Sequence, residues 1–380
     1  MAGATTTIVA LQGLSLPPDA AQLRDHVRVP ARRTDHYLTH YDRTTLFYDC
    51  VRMGNGRDLL LTAPPAMNLE PLLMDGLRQG DGTAIRKRVT RGPKYLQMVL
   101  RGPVRDLALQ DGTALRPVQL RDSLQHLFAG LNCAVCMNKN NPLDWIQGWA
   151  AHHVRLHRLE GVLIFDNGST AYGADDLAAA LARVPGLKQA VIAQAPFPYG
   201  TTDKVAKGET RPNFLQPALL NLARRDFLCR ARAVLNCDID ELVMSRDGSS
   251  VFDRAASRPW GAARLPVFWA YPAPGAAGPV AQWHHDHRPA APQRTPRKWC
   301  VAPGGLLSRT GWFVHHVGGE FFKLNRESRA HEVVHCRATS TGWHPFKSRA
   351  DDTVTLRPDP ELAAIMAPLA ALMAEISDHG

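Results

Sequence analysis

The chain has 380 residues, 45% of them hydrophobic and 21% charged, with a formal net charge of +10. That length buries a core or two and sets an expectation of two domains at about 150 residues each. The positive balance favours anionic partners such as nucleotide phosphates, acidic glycans or a membrane surface, but no aromatic-studded basic repeat accompanies it, so no nucleic acid is expected.

Seven scattered cysteines, an odd number without framework spacing, read as reduced thiols. Cys133 and Cys136 fall in an apparent strand that sends them to opposite faces, which argues against a redox or zinc pair. The first residues lack a basic segment followed by a long apolar one, and no apolar run reaches about 18 residues, so neither a signal peptide nor a spanning helix is predicted. The expected location is cytoplasmic, with peripheral contact at the inner membrane face open.

In chain order, residues 1–25 read as a loosely structured leader. Residues 26–128 read as a small all-β domain: Thr45 to Val51 and Asp58 to Thr62 flank Gly54-Asn55-Gly56, a hairpin signal, and Tyr95 to Leu100 pairs in pattern with Asp106 to Leu109. Its arginines suit an anionic acceptor or a membrane surface, and equally a solvated face. After Leu131 strands and helices alternate. Cys133 to Met137 is the first strand, and Asn141, Pro142 and Asp144 open a helix carrying Trp145, Ile146, Trp149 and Val154 that closes near Gly161. Val162 to Phe165 is the second strand, about 174–184 a helix, and Gln189 to Ala195 the third strand. Residues 213–229 read as a third helix, with Asn213 and Gln216 as a capping-box pair. Ala233 to Leu235 then leads into Asn236-Cys237-Asp238-Ile239-Asp240-Glu241. Three successive β-α units predict an α/β fold, a Rossmann-like and mostly parallel sheet flanked by helices, preceded by the small all-β domain. Residues 351–380 are expected to form a docked C-terminal helix around the apolar stretch 362–374, which contains Pro368.

Chemistry concentrates at strand ends. In extended backbone Asp238 and Asp240 point the same way, and two hard oxygen ligands there suit Mg²⁺ or Mn²⁺ bridging to a phosphate. Asp166, before the Asn167-Gly168 turn, ends the second strand, and Asn138-Lys139-Asn140 ends the first at the equivalent level. A Gly-x-Gly-x-x-Gly after the first strand is absent, as is a P-loop, which argues against a dinucleotide cofactor.

The ordered set Asn138-Lys139-Asn140, Trp145, Trp149, His152-His153, Gly161 to Phe165 and Asp166 to Thr170 resembles the opening of family 2-like glycosyltransferases of the GT-A fold. Gln216, Asp238-Ile239-Asp240-Glu241, Lys298 to Pro303, Val314-His315-His316 and His335 to Ser340 resemble the family 92-like branch. The resemblance covers 131–350, and where relatives carry Asn-Glu after the first strand this chain has Asn140-Asn141. It implies transfer of a sugar from a nucleotide-diphosphate sugar, a UDP-sugar first, to a hydroxyl of a glycan acceptor, with inversion, in synthesis of a surface or exported polysaccharide. In that frame Asp166, with Asn138, Asn140, Gln216 and Lys298, holds the donor. Asp238 and Asp240 hold Mn²⁺ or Mg²⁺, and His315 or His316 adds a ligand. Asp286, or alternatively Glu320, is the candidate base, and Trp283, Trp299, Trp312 and Trp343 offer faces for sugar stacking. Two other readings stay open: a metal-dependent hydrolase built on His284, His285, Asp286 and His287, and a non-catalytic protein that binds glycans or membrane surfaces.

Overall fold

The computed structural model describes residues 3–376, save 113, 204–205, 207–208, 210, 277, 292, 320, 322–324, 338 and 340–353, together with the helical backbone of 377–378. The chain divides into two compact units. One comprises Met1–Val9, Leu127–Gln194 and Arg230–Gly380, and the other Ala10–His126 and Ala195–Cys229.

The first unit is built on a nine-stranded sheet. Its strands are β1 (Thr5–Ala10), β2 (Asn132–Asn138), β3 (Gly161–Asp166), β4 (Gln189–Gln194), β5 (Ala233–Asn236), β6 (Glu241–Ser245), β7 (Ala262–Ala270), β8 (Arg294–Val301) and β9 (His331–Cys336). They lie in the spatial order β1-β4-β3-β2-β5-β8-β7-β9-β6. Strands β4, β3, β2 and β5 are parallel. β2 and β3 are almost wholly buried, as expected of parallel strands covered on both faces. Beyond β5 the pairings β5–β8, β8–β7 and β9–β6 are antiparallel and β7–β9 is parallel. The sheet is therefore mixed: parallel from β4 to β5 as expected, and chiefly antiparallel beyond. Between β5 and β9 the described residues form one α-helix, the short α3 (Val251–Ser257), and otherwise short or irregular links, which do not impose parallel pairing.

The run Thr5-Thr6-Thr7-Ile8-Val9 corrects the expectation of a loose leader: its β-branched residues form the edge strand β1, whose Thr5 N–H donates to the Lys188 carbonyl. Helices α1 (Leu143–His157), α2 (Ala174–Ala182) and α4 (Pro360–Asp378) complete the unit. On α4, Leu362, Met366, Leu369 and Met373 recur at helical spacing and join the core that contains Trp145, Ile146 and Trp149 of α1. Asn141 does not cap α1; its amide donates to Asn138 Oδ1 instead, and the cap position falls on Pro142. No helix among the described residues is long and apolar enough to cross a membrane.

Three histidines of α1 pin β6. His152 and His157 each donate through Nε2 to the Val243 carbonyl, at 2.7 and 2.9 Å. The Val243 N–H donates to His153 Nε2, and the Val251 N–H to His157 Nδ1, both at 3.2 Å. His153 and His157 thus each use one ring nitrogen as an acceptor, which requires the neutral imidazole. Burial pushes His152 and His157 down to about 3, and drives His153 well below the ordinary range.

The second unit contains a five-stranded sheet ordered Arg121–Asp122, Asp49–Arg52, Leu59–Ala63, Tyr95–Arg101, Arg86–Gly92, and a three-stranded sheet of Ala114–Val118, Leu107–Asp111 and Leu77–Gln79. The predicted hairpin is present as Asp49–Arg52 against Leu59–Ala63, with Gly56 at φ 68° in the turn. The unit is not all-β: it includes helices Asp35–His40, Glu70–Gly76 and Leu215–Arg225. The last was expected as the third crossover helix of the parallel sheet. It packs instead on this sheet, where Gln97 Nε2 donates to the Asn221 carbonyl at 3.1 Å. Its cap position is Phe214, with no side-chain cap, so the Asn213–Gln216 capping box does not form.

Candidate active site at the carboxyl ends of the parallel strands

From β2 the chain runs through α1 and α2 to β3 and β4 on one side, while β5 lies on the other. The order reverses between β2 and β5, and the crevice at such a switch point is where open α/β sheets bind ligands. The ends of β3 and β5 stand two strand spacings apart, roughly 10 Å.

Asn138, the last residue of β2, is fully buried and organises one wall. Its Nδ2 donates to Asp166 Oδ1 at 2.8 Å and to the Tyr172 hydroxyl oxygen at 2.9 Å. Asp166 also accepts from the Ser169 backbone N–H at 3.0 Å and from the Ser169 hydroxyl. Asn140 takes the left-handed conformation, φ 56°, and its Oδ1 accepts from the N–H groups of Thr170 and Ala171 at 2.7 and 3.0 Å. Asp166, Asn138 and Asn140 are thus brought together as one polar platform.

The second wall is the turn between β5 and β6. Asp238 and Asp240 lie not in extended backbone but in a tight turn closed by the Glu241 N–H donating to the Asp238 carbonyl at 3.0 Å. The alternation expected of a strand does not apply, and the two carboxylates take different partners. Asp238 accepts from the buried Lys298 ammonium, which also lies 2.8 Å from the buried Glu241 carboxylate. Burial alone would depress the Lys298 ammonium, but Asp238 and Glu241 outweigh it and hold it above its ordinary value. Glu241 is raised, first by burial, with Lys298 opposing. Asp240 Oδ2 lies 3.1 Å from His335 Nε2, and His335 Nδ1 lies 3.8 Å from Glu241 Oε1 without a hydrogen bond. Burial disfavours the charged His335 imidazole, yet the Asp240 and Glu241 carboxylates prevail and raise it.

Sheet register explains this meeting. Glu241 of β6 pairs with His335 of β9, and Trp269 of β7 pairs with His335 from the other side, its ring stacked on the imidazole at 4.1 Å. Gln282 Nε2 donates to the Ile239 carbonyl at 2.7 Å and the Trp145 carbonyl at 3.1 Å, tying the segment that leads to Asp286 onto the acid turn. That segment lies close to α1 because a Cβ on Gly148 would meet the Trp283 ring at 2.4 Å.

A divalent cation fits at Asp240 and His335. Their 3.1 Å oxygen–nitrogen separation matches the edge of a coordination polyhedron with bonds of about 2.1 Å. Glu241 beside the orphaned Nδ1 is the kind of carboxylate that orients a ligating imidazole. Asp238 is neutralised by Lys298 rather than free to share the metal equally. Among the described residues no group of three or more His, Cys, Asp or Glu side chains is placed to hold a metal ion by itself. Cations that also bind substrate phosphates and waters do not require one.

Of the other sequence candidates, His315 lies beside the acid turn and the rest fall elsewhere or outside the described residues. His315 is exposed, with its Nδ1 3.3 Å from the Arg297 carbonyl, and lies near enough to Lys298 and Asp238 for both charges to act on it. His316 is exposed and stacks on Phe313 at 4.7 Å. Asp286 accepts from His287 Nδ1 at 2.6 Å, whereas His284 is exposed and His285 is buried against the Ala281 carbonyl. The four-residue cluster proposed for a hydrolase therefore does not converge. Gln216 lies in the second unit, where its Oε1 accepts from the Tyr199 hydroxyl at 3.3 Å. Glu320 and Trp343 lie outside the described residues. Trp299 and Trp312 are fully buried core, and Arg297 pairs with Glu327 at the surface. Sequence reasoning missed His335, Glu241 and Trp269 as site residues. Glu241 was legible beside Asp240, but the other two are placed only by register. The chain matches no family model and no curated protein.

Proposed function

We propose that the first unit is a GT-A-type glycosyltransferase domain, of the family 2-like or family 92-like kind. It would use a divalent cation, Mn²⁺ or Mg²⁺, to move a sugar from a nucleotide-diphosphate sugar to a glycan hydroxyl. The observation that carries this reading is the acid turn Asp238-Ile239-Asp240-Glu241 following β5, beside the switch point and on the same edge of the sheet as the Asn138–Asp166 platform. A UDP-sugar suits the platform, where Asp166 retains lone pairs to accept from the base or ribose.

The cation, when bound, supplies positive charge against the nucleoside-diphosphate leaving group. Asp240 and His335 would hold it, with the Glu241 carboxylate 3.8 Å from the other ring nitrogen of His335 and the Trp269 ring covering one face of the imidazole. Lys298 neutralises Asp238, so two close carboxylates do not repel the donor's diphosphate. Asp286 is the candidate base. It follows β7, whose end is level with His335, its carboxylate is 44% exposed, and His287 orients it. A carboxylate within hydrogen-bond reach takes the proton from the acceptor hydroxyl as the new bond forms.

The test is consumption of nucleotide sugars by the purified protein. Slow donor hydrolysis is expected with Mn²⁺ and none after EDTA, with recovery when Mn²⁺ is restored. Turnover that persists in EDTA would remove the cation from the reading, and no turnover with any donor or acceptor would favour a binding role.

A further inference from the structure

The second unit carries a basic cavity that the proposed chemistry does not use. It has a volume of about 520 Å³ and is lined by Arg86, Lys87, Arg88 and Arg101. That size is in the range of small-molecule sites. The cavity is built by strand geometry. Arg86–Gly92 is the edge strand of the five-stranded sheet and pairs antiparallel with Tyr95–Arg101, with Arg86 opposite Arg101 and Arg88 opposite Val99. Residues two apart share a face, so Arg86, Arg88 and Arg101 project together. Gln97 lies on that same face and reaches helix Leu215–Arg225, whose last residue, Arg225, joins the group.

These cations are poorly compensated. Among the described residues, Asp58, 3.3 Å from Arg101, is the one carboxylate at ion-pair distance from Arg86, Arg88, Arg101 or Arg225. Arg225 is depressed, by burial first and then by the charges of Arg88 and Arg101. Like charges directly opposite on neighbouring strands destabilise a sheet, so this cluster costs stability as it stands. An anion with several oxygens would remove that cost, and guanidinium forks match phosphate oxygens in pairs. We propose that this cavity binds a ligand carrying two or more phosphate groups, either free in solution or as a lipid headgroup. The site stands apart from the donor reading and does not depend on it.

Calorimetry of the whole protein in EDTA, which removes any cation-dependent donor binding, tests this with inorganic pyrophosphate and inositol trisphosphate. A second arm measures co-sedimentation with phosphatidylcholine vesicles, with and without phosphatidylinositol bisphosphate. Binding is expected in at least one arm. Binding of soluble probes alone identifies a free phosphate ligand, and capture by the bisphosphate vesicles identifies a headgroup. The double substitution Arg86→Gln/Arg88→Gln should weaken that binding about tenfold or more without lowering the melting temperature. Arg116→Gln, on the separate three-stranded sheet, should leave it unchanged. No binding in either arm would overturn the proposal, as would equal affinity of the double variant and the native protein.

Discussion

Asp240→Asn will reduce Mn²⁺-dependent nucleotide-sugar consumption by about 10²–10³-fold or more, the scale seen when one charge-stabilising group is lost. The amide keeps the shape of the side chain but removes its charge. His335 then loses the carboxylate 3.1 Å from its Nε2, and the cation loses its one carboxylate not already claimed by Lys298. The turn should survive, because it is closed by backbone and by Gln282 rather than by the Asp240 side chain. Donor consumption and the melting temperature measured on the same preparation check this. A variant that melts with the native protein but no longer consumes donor fits the account, and one with unchanged turnover removes Asp240 from the cation site.

The largest stability effect is expected from acid. His152, His153 and His157 are buried and neutral: His153 and His157 must stay unprotonated to accept from the Val243 and Val251 N–H groups, and a proton on His152 Nδ1 would bury a charge with no partner. Their folded values lie below the ordinary imidazole value of about 6.5, so below that pH the unfolded chain binds more protons and stability falls with falling pH. Each such group contributes a slope of about 1.4 kcal/mol per pH unit, so the three together give about 4 kcal/mol per unit once the pH is well below 6.5. His285, pushed down to about 4 by burial, acts in the same direction, and His335, which is raised, acts against it. A domain stable by about 5–15 kcal/mol should therefore unfold cooperatively between about pH 5.5 and 4. Urea titrations across this range measure the slope. A flat profile down to pH 4 would mean these imidazoles are not held neutral.

The α/β character, the strands β2 to β5 and the polar ends at Asn138 and Asp166 were legible because buried parallel strands leave continuous apolar runs with a polar residue at the exit. The interleaving was not. Residues 215–225 carry a helical pattern that suits any sheet with an apolar face, and nothing in that pattern says which sheet it covers. Residues 1–25 were misread because a six-residue edge strand whose residues are all exposed or half-buried gives a weak periodic signal. In the site, Asp238 and Asp240 were visible as a pair, but their division between Lys298 and His335 was not. His335 meets Asp240 through strand register across 95 residues of chain, and no local spacing encodes that.

The claim that the acid turn and the Asn138–Asp166 platform form a nucleotide-sugar site is tested most directly by thermal stabilisation with a panel of nucleotide sugars, with and without Mn²⁺. A ligand that binds only the folded chain at about 100 times its dissociation constant adds about 2.7 kcal/mol. The expected result is a rise in melting temperature with one donor class and Mn²⁺ together, lost in Asp240→Asn. Equal stabilisation with EDTA, or none from any nucleotide sugar, would contradict it.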